Sequence, residues 1–201
     1  MASLDTATAR ALEEKYDPEM QFRPMEGGAR FLVGGLLVAL SCFHYYTAGY
    51  GILREATHRG IHLAFVLALI FLVFAWRRGS GGGRFSLGGI PILDWVLAAV
   101  AAAASLYIPY VFNDLAFRVG DPLTQDVVMG TVMIVLILEA SRRSMGPALP
   151  IIAILFMTYA LWGQYAPGLL VHPGADWAGL VNHLYLTSQG IYGIAVGVVA
   201  T

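Results

Sequence analysis

The chain has 201 residues, of which 58% are hydrophobic and 12% charged, with a formal net charge of −1 and one cysteine. A soluble chain is about a quarter charged, so this deficit, with a mean hydropathy of +0.68, excludes an ordinary water-soluble domain. The near-neutral balance without a cluster of Lys and Arg excludes nucleic acid as a partner, and the lone Cys42 excludes a disulfide frame or a cysteine-rich metal site.

Residues 1–28 form a polar lead. Thr6–Tyr16 reads as one short helix or as part of a disordered tail, and Asp17–Gly28, with Pro18, Pro24, Gly27 and Gly28, reads as extended or turn-like. Acidic residues precede the first apolar run, the wrong order for a cleaved signal peptide.

Five long apolar runs follow: Ala29–Tyr50, Thr57–Trp76, Ile90–Val111, Leu123–Ala140 and Pro147–Tyr165. Each approaches the roughly 20 residues a helix needs to cross about 30 Å of hydrocarbon. Cys42 lies inside the first run and reads as a buried small hydrophobe. Between the second and third runs, Arg77–Gly89 is a short flexible connection. Its GSGGG stretch at 79–83 lacks the strand and the Lys-Ser/Thr pair of a phosphate loop. The third run starts at Pro91, carries the small residues of Ala98–Ala104 for close helix approach, and is expected to break or kink at Pro109.

After the fifth run comes an external loop with His172, then Asp176–Leu186, an amphipathic helix lying along the surface and capped by Asp176. Ile191–Ala200 is apolar but too short to cross, and reads as the start of a sixth span, with Gly193 and Gly197 in a small-xxx-small spacing. The fold class is therefore all-α and integral to a membrane, with five transmembrane helices, an interfacial helix and the beginning of a sixth span. The chain is expected to be the front part of a longer membrane protein.

Nine of the twelve Lys and Arg fall on one set of helix ends: Arg10, Lys15, Arg23, Arg30, Arg77, Arg78, Arg84, Arg142 and Arg143. Arg54, Arg59 and Arg118 fall on the other. Short basic loops stay in the cytoplasm, so the amino terminus is expected there. Tyr45, Tyr46, Tyr50, Trp76, Tyr107, Tyr110, Trp162 and Tyr165 stand at run ends, where interfacial belts of aromatic rings form.

Few ionisable groups lie near the apolar runs. Glu139 stands at i+3 and i+4 from Arg142 and Arg143 and is expected to pair with them at the interface, with an ion-relay role as the sharper alternative. Asp94 and Asp126 are expected at interfaces too. His58 and His62 share one helix face, and with His44 they define the alternative of a haem or metal site. The remaining histidines, His172 and His183, fall in the last external stretch.

The block LEASRRSMGPALPII at 138–152, with YALWG at 159–163, PGLLVH at 167–172 and LYLTSQGIYGI at 184–194, resembles the fused permeases of tripartite ATP-independent periplasmic (TRAP) transporters, in particular the TAXI-type group. RGIHLAF at 59–65 and LDWVL at 93–97 are similar to that family's second and third spans. The resemblance implies a secondary transporter, a symporter of the bacterial inner membrane, driven by an ion gradient with sodium as the usual coupling ion. It also implies organic acids delivered by a periplasmic solute-binding protein.

On that map residues 1–28 are a cytoplasmic segment, 29–141 a small-subunit-like four-helix scaffold, and 142–201 the beginning of the large permease domain, whose remainder is a partner. The sodium site and the substrate site then lie outside this chain, and no cofactor, catalytic residue or enzymatic activity is implied. The alternatives are a membrane-embedded haem or metal-binding protein and a stand-alone assembly subunit.

Overall fold

The computed structural model describes residues 23, 25, 27–51, 53–76 and 86–200. The expected helix over Thr6–Tyr16 and most of the Arg77–Gly89 connection, with Arg77, Arg78 and Arg84, lie outside the described residues.

Five helices are long and apolar enough to cross a membrane: α1 (Gly28–Tyr50), α2 (Glu55–Val73), α3 (Ile92–Arg118), α4 (Thr124–Met145) and α5 (Ala148–Trp162), the last extended by a 3₁₀ turn to Tyr165. Two short helices follow, α6 (Trp177–Val181) and α7 (Ile194–Ala200). Before α3, β1 (Ser86–Leu87) and β2 (Ile90–Pro91) make one small antiparallel pair.

α2 is the central element and packs against α1, α3, α4 and α7. Its main neighbour is α3, where Ala98, Ala101 and Ala104 turn inward while Val96, Val100 and Leu106 are exposed. Small side chains at a three-residue spacing let the two backbones come close, and dispersion contacts then hold them. Contacts between opposite helix ends make the neighbours antiparallel: His44 meets His62, Gly60 meets Pro109, and Asp94 meets Arg143. A tight turn at Gly146 (φ 83°), a conformation that disfavours a side chain, separates α4 from α5.

α3 runs through Pro109 to Arg118, so the expected break is absent. The proline nitrogen has no hydrogen for the Ser105 carbonyl four residues back, and the ring crowds that carbonyl. Two other elements compensate. Tyr192 donates its hydroxyl to the Ser105 oxygen at 2.8 Å. On α2, Gly60 leaves the room the ring needs: a Cβ there would lie 2.5 Å from the Pro109 Cγ and 2.9 Å from the Ser105 oxygen.

α1 buries only Ala29, Val33 and Thr47, and α5 only Pro150. Phe31, Val38, Ile151, Leu155 and Phe156 are exposed. Apolar outer faces of this extent suit lipid as the solvent. Cys42 belongs to such a face: it is exposed, which corrects the expectation of burial.

Candidate functional site

Charged side chains gather at both ends of the helix layer, and at both a carboxylate is buried, Asp94 at one and Asp126 at the other. At the end where α2 and α4 finish, Asp94 in the first turn of α3 accepts from Arg23 Nη2 at 2.5 Å and from Arg143 Nη1 at 2.8 Å. Arg143 Nε donates to Glu139 at 2.7 Å, and Arg142 grips the same carboxylate with two bonds of 2.7 and 2.8 Å. The Arg143 guanidinium lies over Phe71, and that of Arg142 over Trp76.

Glu139 is thus paired as the spacing predicts. Asp94, at the start of α3, is 2% exposed and enclosed, because two arginines distant in sequence close over it. Three guanidiniums meet two carboxylates here, and Arg23 Nε and Nη1 and Arg143 Nη2 are buried with no acceptor among the described residues.

At the opposite end Asp126, in the first turn of α4, is fully buried. Its Oδ1 accepts from the Tyr107 hydroxyl at 2.5 Å and from Arg118 at 3.2 Å, while Oδ2 accepts from the Leu123 backbone N–H at 3.0 Å and so fastens the first turn of α4. Tyr107 therefore turns inward, unlike the exposed Tyr45, Tyr46, Tyr50, Tyr110, Trp162 and Tyr165.

The segment after α5 is held by its own polar contacts. His172 Nδ1 accepts from the Gly174 N–H at 3.0 Å, so its hydrogen is on Nε2, which faces the Tyr159 carbonyl at 3.0 Å. Asp176 caps α6 by accepting from Gly179 at 3.1 Å, as expected. The helix then changes character: Asn182–Leu186 is a π turn, closed by Thr187 N–H to the Asn182 carbonyl. The chain next folds back on itself, with Ile191 N–H on the Leu184 carbonyl at 2.7 Å, before α7 begins.

This broken segment is fastened to α2 and α3. Tyr185, fully buried, donates to the Ala104 carbonyl at 2.7 Å, Tyr192 donates to Ser105, and Arg59 Nη1 donates to the Tyr192 carbonyl at 2.6 Å. Burial pushes the Tyr185 phenol well above its ordinary range, so it remains a donor. Val181 and Tyr185 close onto α4 at Gly130, which has no Cβ to obstruct them. A cavity of about 110 Å³ sits at the break, lined by Glu55, Arg59, Tyr185, Thr187, Ser188 and Tyr192 among others. A wider hollow of about 560 Å³ adjoins it along Phe112, Ala116 and Val119.

The three histidines singled out in sequence do come together beside this seam. His44 Nε2 and His62 Nδ1 are 2.8 Å apart, and His58 Nε2 hydrogen-bonds the Ala200 carbonyl of α7. Among the described residues, no three His, Cys, Asp or Glu side chains converge as metal ligands. His183 is exposed and apart. Arg23 and Arg59 entered the sequence reading only through orientation, and Gly60, Tyr185 and Tyr192 were not singled out individually. Only Pro109, which frees a carbonyl at a known position, signalled that a donor was needed near Ser105.

Comparison with known protein families, with curated proteins and with solved structures returns no match. What the helices define is the coarse class: an α-helical chain built for several membrane crossings.

Proposed function

We propose that this chain is the membrane component of an ion-gradient-driven TRAP-type importer of organic acids, and that within it these residues act as a static scaffold. The basic helix ends face the cytoplasm of a bacterial inner membrane, and the break between α6 and α7 lies toward the outer side. A periplasmic solute-binding protein and the rest of the permease domain are its partners. The coupling ion, sodium in this reading, binds outside these residues.

One observation supports the scaffold role above the rest. The segment 182–200, in which a helix is interrupted as helices are in many carriers, is clamped by four side-chain hydrogen bonds, from Tyr185, Tyr192, Arg59 and His58, to or from α2 and α3. A segment fastened in this way transmits position and does not itself travel across the bilayer. The family-like block from Leu138 to Ile194 contains both the Glu139 network and the two clamping tyrosines.

Reconstitution in vesicles tests the reading. The chain alone is expected to give no solute uptake under a sodium gradient, with or without a binding protein. Uptake of an organic acid by these residues alone contradicts the scaffold role.

A further inference from the structure

We propose that His44, His58 and His62 form a proton-binding latch that fastens α1 and α7 to α2 while the rings are neutral and releases both when they are protonated. The three side chains come from two helices and meet beside a third. Ring centroids of His44 and His62 are 4.9 Å apart, and those of His44 and His58 5.8 Å. Phe43 stacks on His58 at 5.0 Å and meets His44 edge-on.

The bond between His44 and His62 requires a neutral ring on its accepting side, and the His58 site leaves a second ring proton without an acceptor among the described residues. Between His44 Nε2 and His62 Nδ1 at 2.8 Å one nitrogen carries the hydrogen and the other must offer a lone pair. Protonating both rings sets two N–H groups against each other. A carbonyl only accepts, so His58 holds its hydrogen on Nε2 toward Ala200. Its Nδ1 is buried with no partner among the described residues, and a proton added there meets no acceptor among them and places a charge in an apolar site.

Among the described residues, no carboxylate faces the three rings to balance such a charge. α2 contributes Arg59, also a cation, whose acid partner Glu55 is exposed at the helix start. α1 brings Cys42, Tyr45 and Tyr46, all exposed, and Ile194–Ala200 contains no titratable side chain. On the α3 side Ser105 and Pro109 face Gly60. Among the described residues, the ionisable groups acting on His44 and His62 are other members of the cluster. Acid therefore opens the latch, and α1 and α7 come away from α2.

Hydrogen exchange of the purified chain in lipid nanodiscs tests this, corrected for intrinsic rates and compared between about pH 7.5 and about pH 5, across the ordinary imidazole range. In the wild type, protection of residues 194–200 is expected to fall about tenfold or more on acidification, while 98–104 in α3 keeps its protection. His58→Gln retains an N–H donor for Ala200 but takes up no proton, so its 194–200 segment is expected to stay protected in acid. Unchanged protection in the acidified wild type, or an equal loss in His58→Gln, overturns the proposal. Ring NMR of the wild type gives a second reading that needs no variant: three protonated rings with 194–200 still protected also overturn it.

Discussion

Asp94 is paired with two buried guanidiniums. It is the one acid that Arg23 and Arg143 share, and both side chains are at most 1% exposed. Removing one partner of a buried ion pair leaves the other charge unsolvated, which costs about 3–5 kcal/mol. Asp94→Asn is therefore expected to lower the thermal unfolding midpoint in detergent sharply, whereas Glu139→Gln, at a more open carboxylate, has the smaller effect. Equal midpoints for Asp94→Asn and the wild type would contradict the network. The sequence placed Asp94 near a helix start but not under cover. Its partners lie 71 and 49 residues away, and one-dimensional spacing carries no information about which distant arginines close over an acid. Glu139 was legible because its partners stand one helical turn away.

Among the helices, the α2–α3 contact and the broken segment form one unit. Pro109 removes a donor, Tyr192 replaces it, and Gly60 accommodates the ring. Tyr192→Phe leaves the Ser105 carbonyl without a partner and is expected to destabilise by about 1–3 kcal/mol. Pro109→Ala restores a backbone N–H four residues on, so adding Tyr192→Phe to Pro109→Ala is expected to cost less than adding it to the wild type. A double-mutant cycle in denaturant checks this, and additive costs would separate the two residues. Gly60→Ala forces a Cβ against Pro109 and the Ser105 carbonyl, with an expected loss of about 1–3 kcal/mol read in the same assay. The apolar runs announced every long helix, since a span's length is written in consecutive residues. That α3 continues past Pro109 without a break was not legible, because the compensating hydroxyl arrives from 83 positions later in the chain. The π turn at Asn182–Leu186 left no local signature either: it follows from seating Tyr185 between α3 and α4.

Across the molecule as a body, antiparallel neighbours put the ends of α2 and α4 beside the start of α3 at one side, and the start of α2 beside the end of α3 at the other. Paired acids staple each side, buried Asp94 with half-buried Glu139 at one and buried Asp126 at the other, while exposed apolar faces of α1 and α5 run between. Such a body requires lipid or detergent, and dilution below the critical micelle concentration is expected to aggregate it. Its orientation rests on the excess of arginine at the Arg142–Arg143 side. Labelling of intact cells with a membrane-impermeant maleimide, in a Cys42→Ala background, is the decisive check on that orientation. Ser188→Cys is expected to react from outside, and Met145→Cys only after permeabilisation. Labelling of Met145→Cys in intact cells, alone or together with Ser188→Cys, would contradict a bilayer-spanning body with its arginine-rich ends inside.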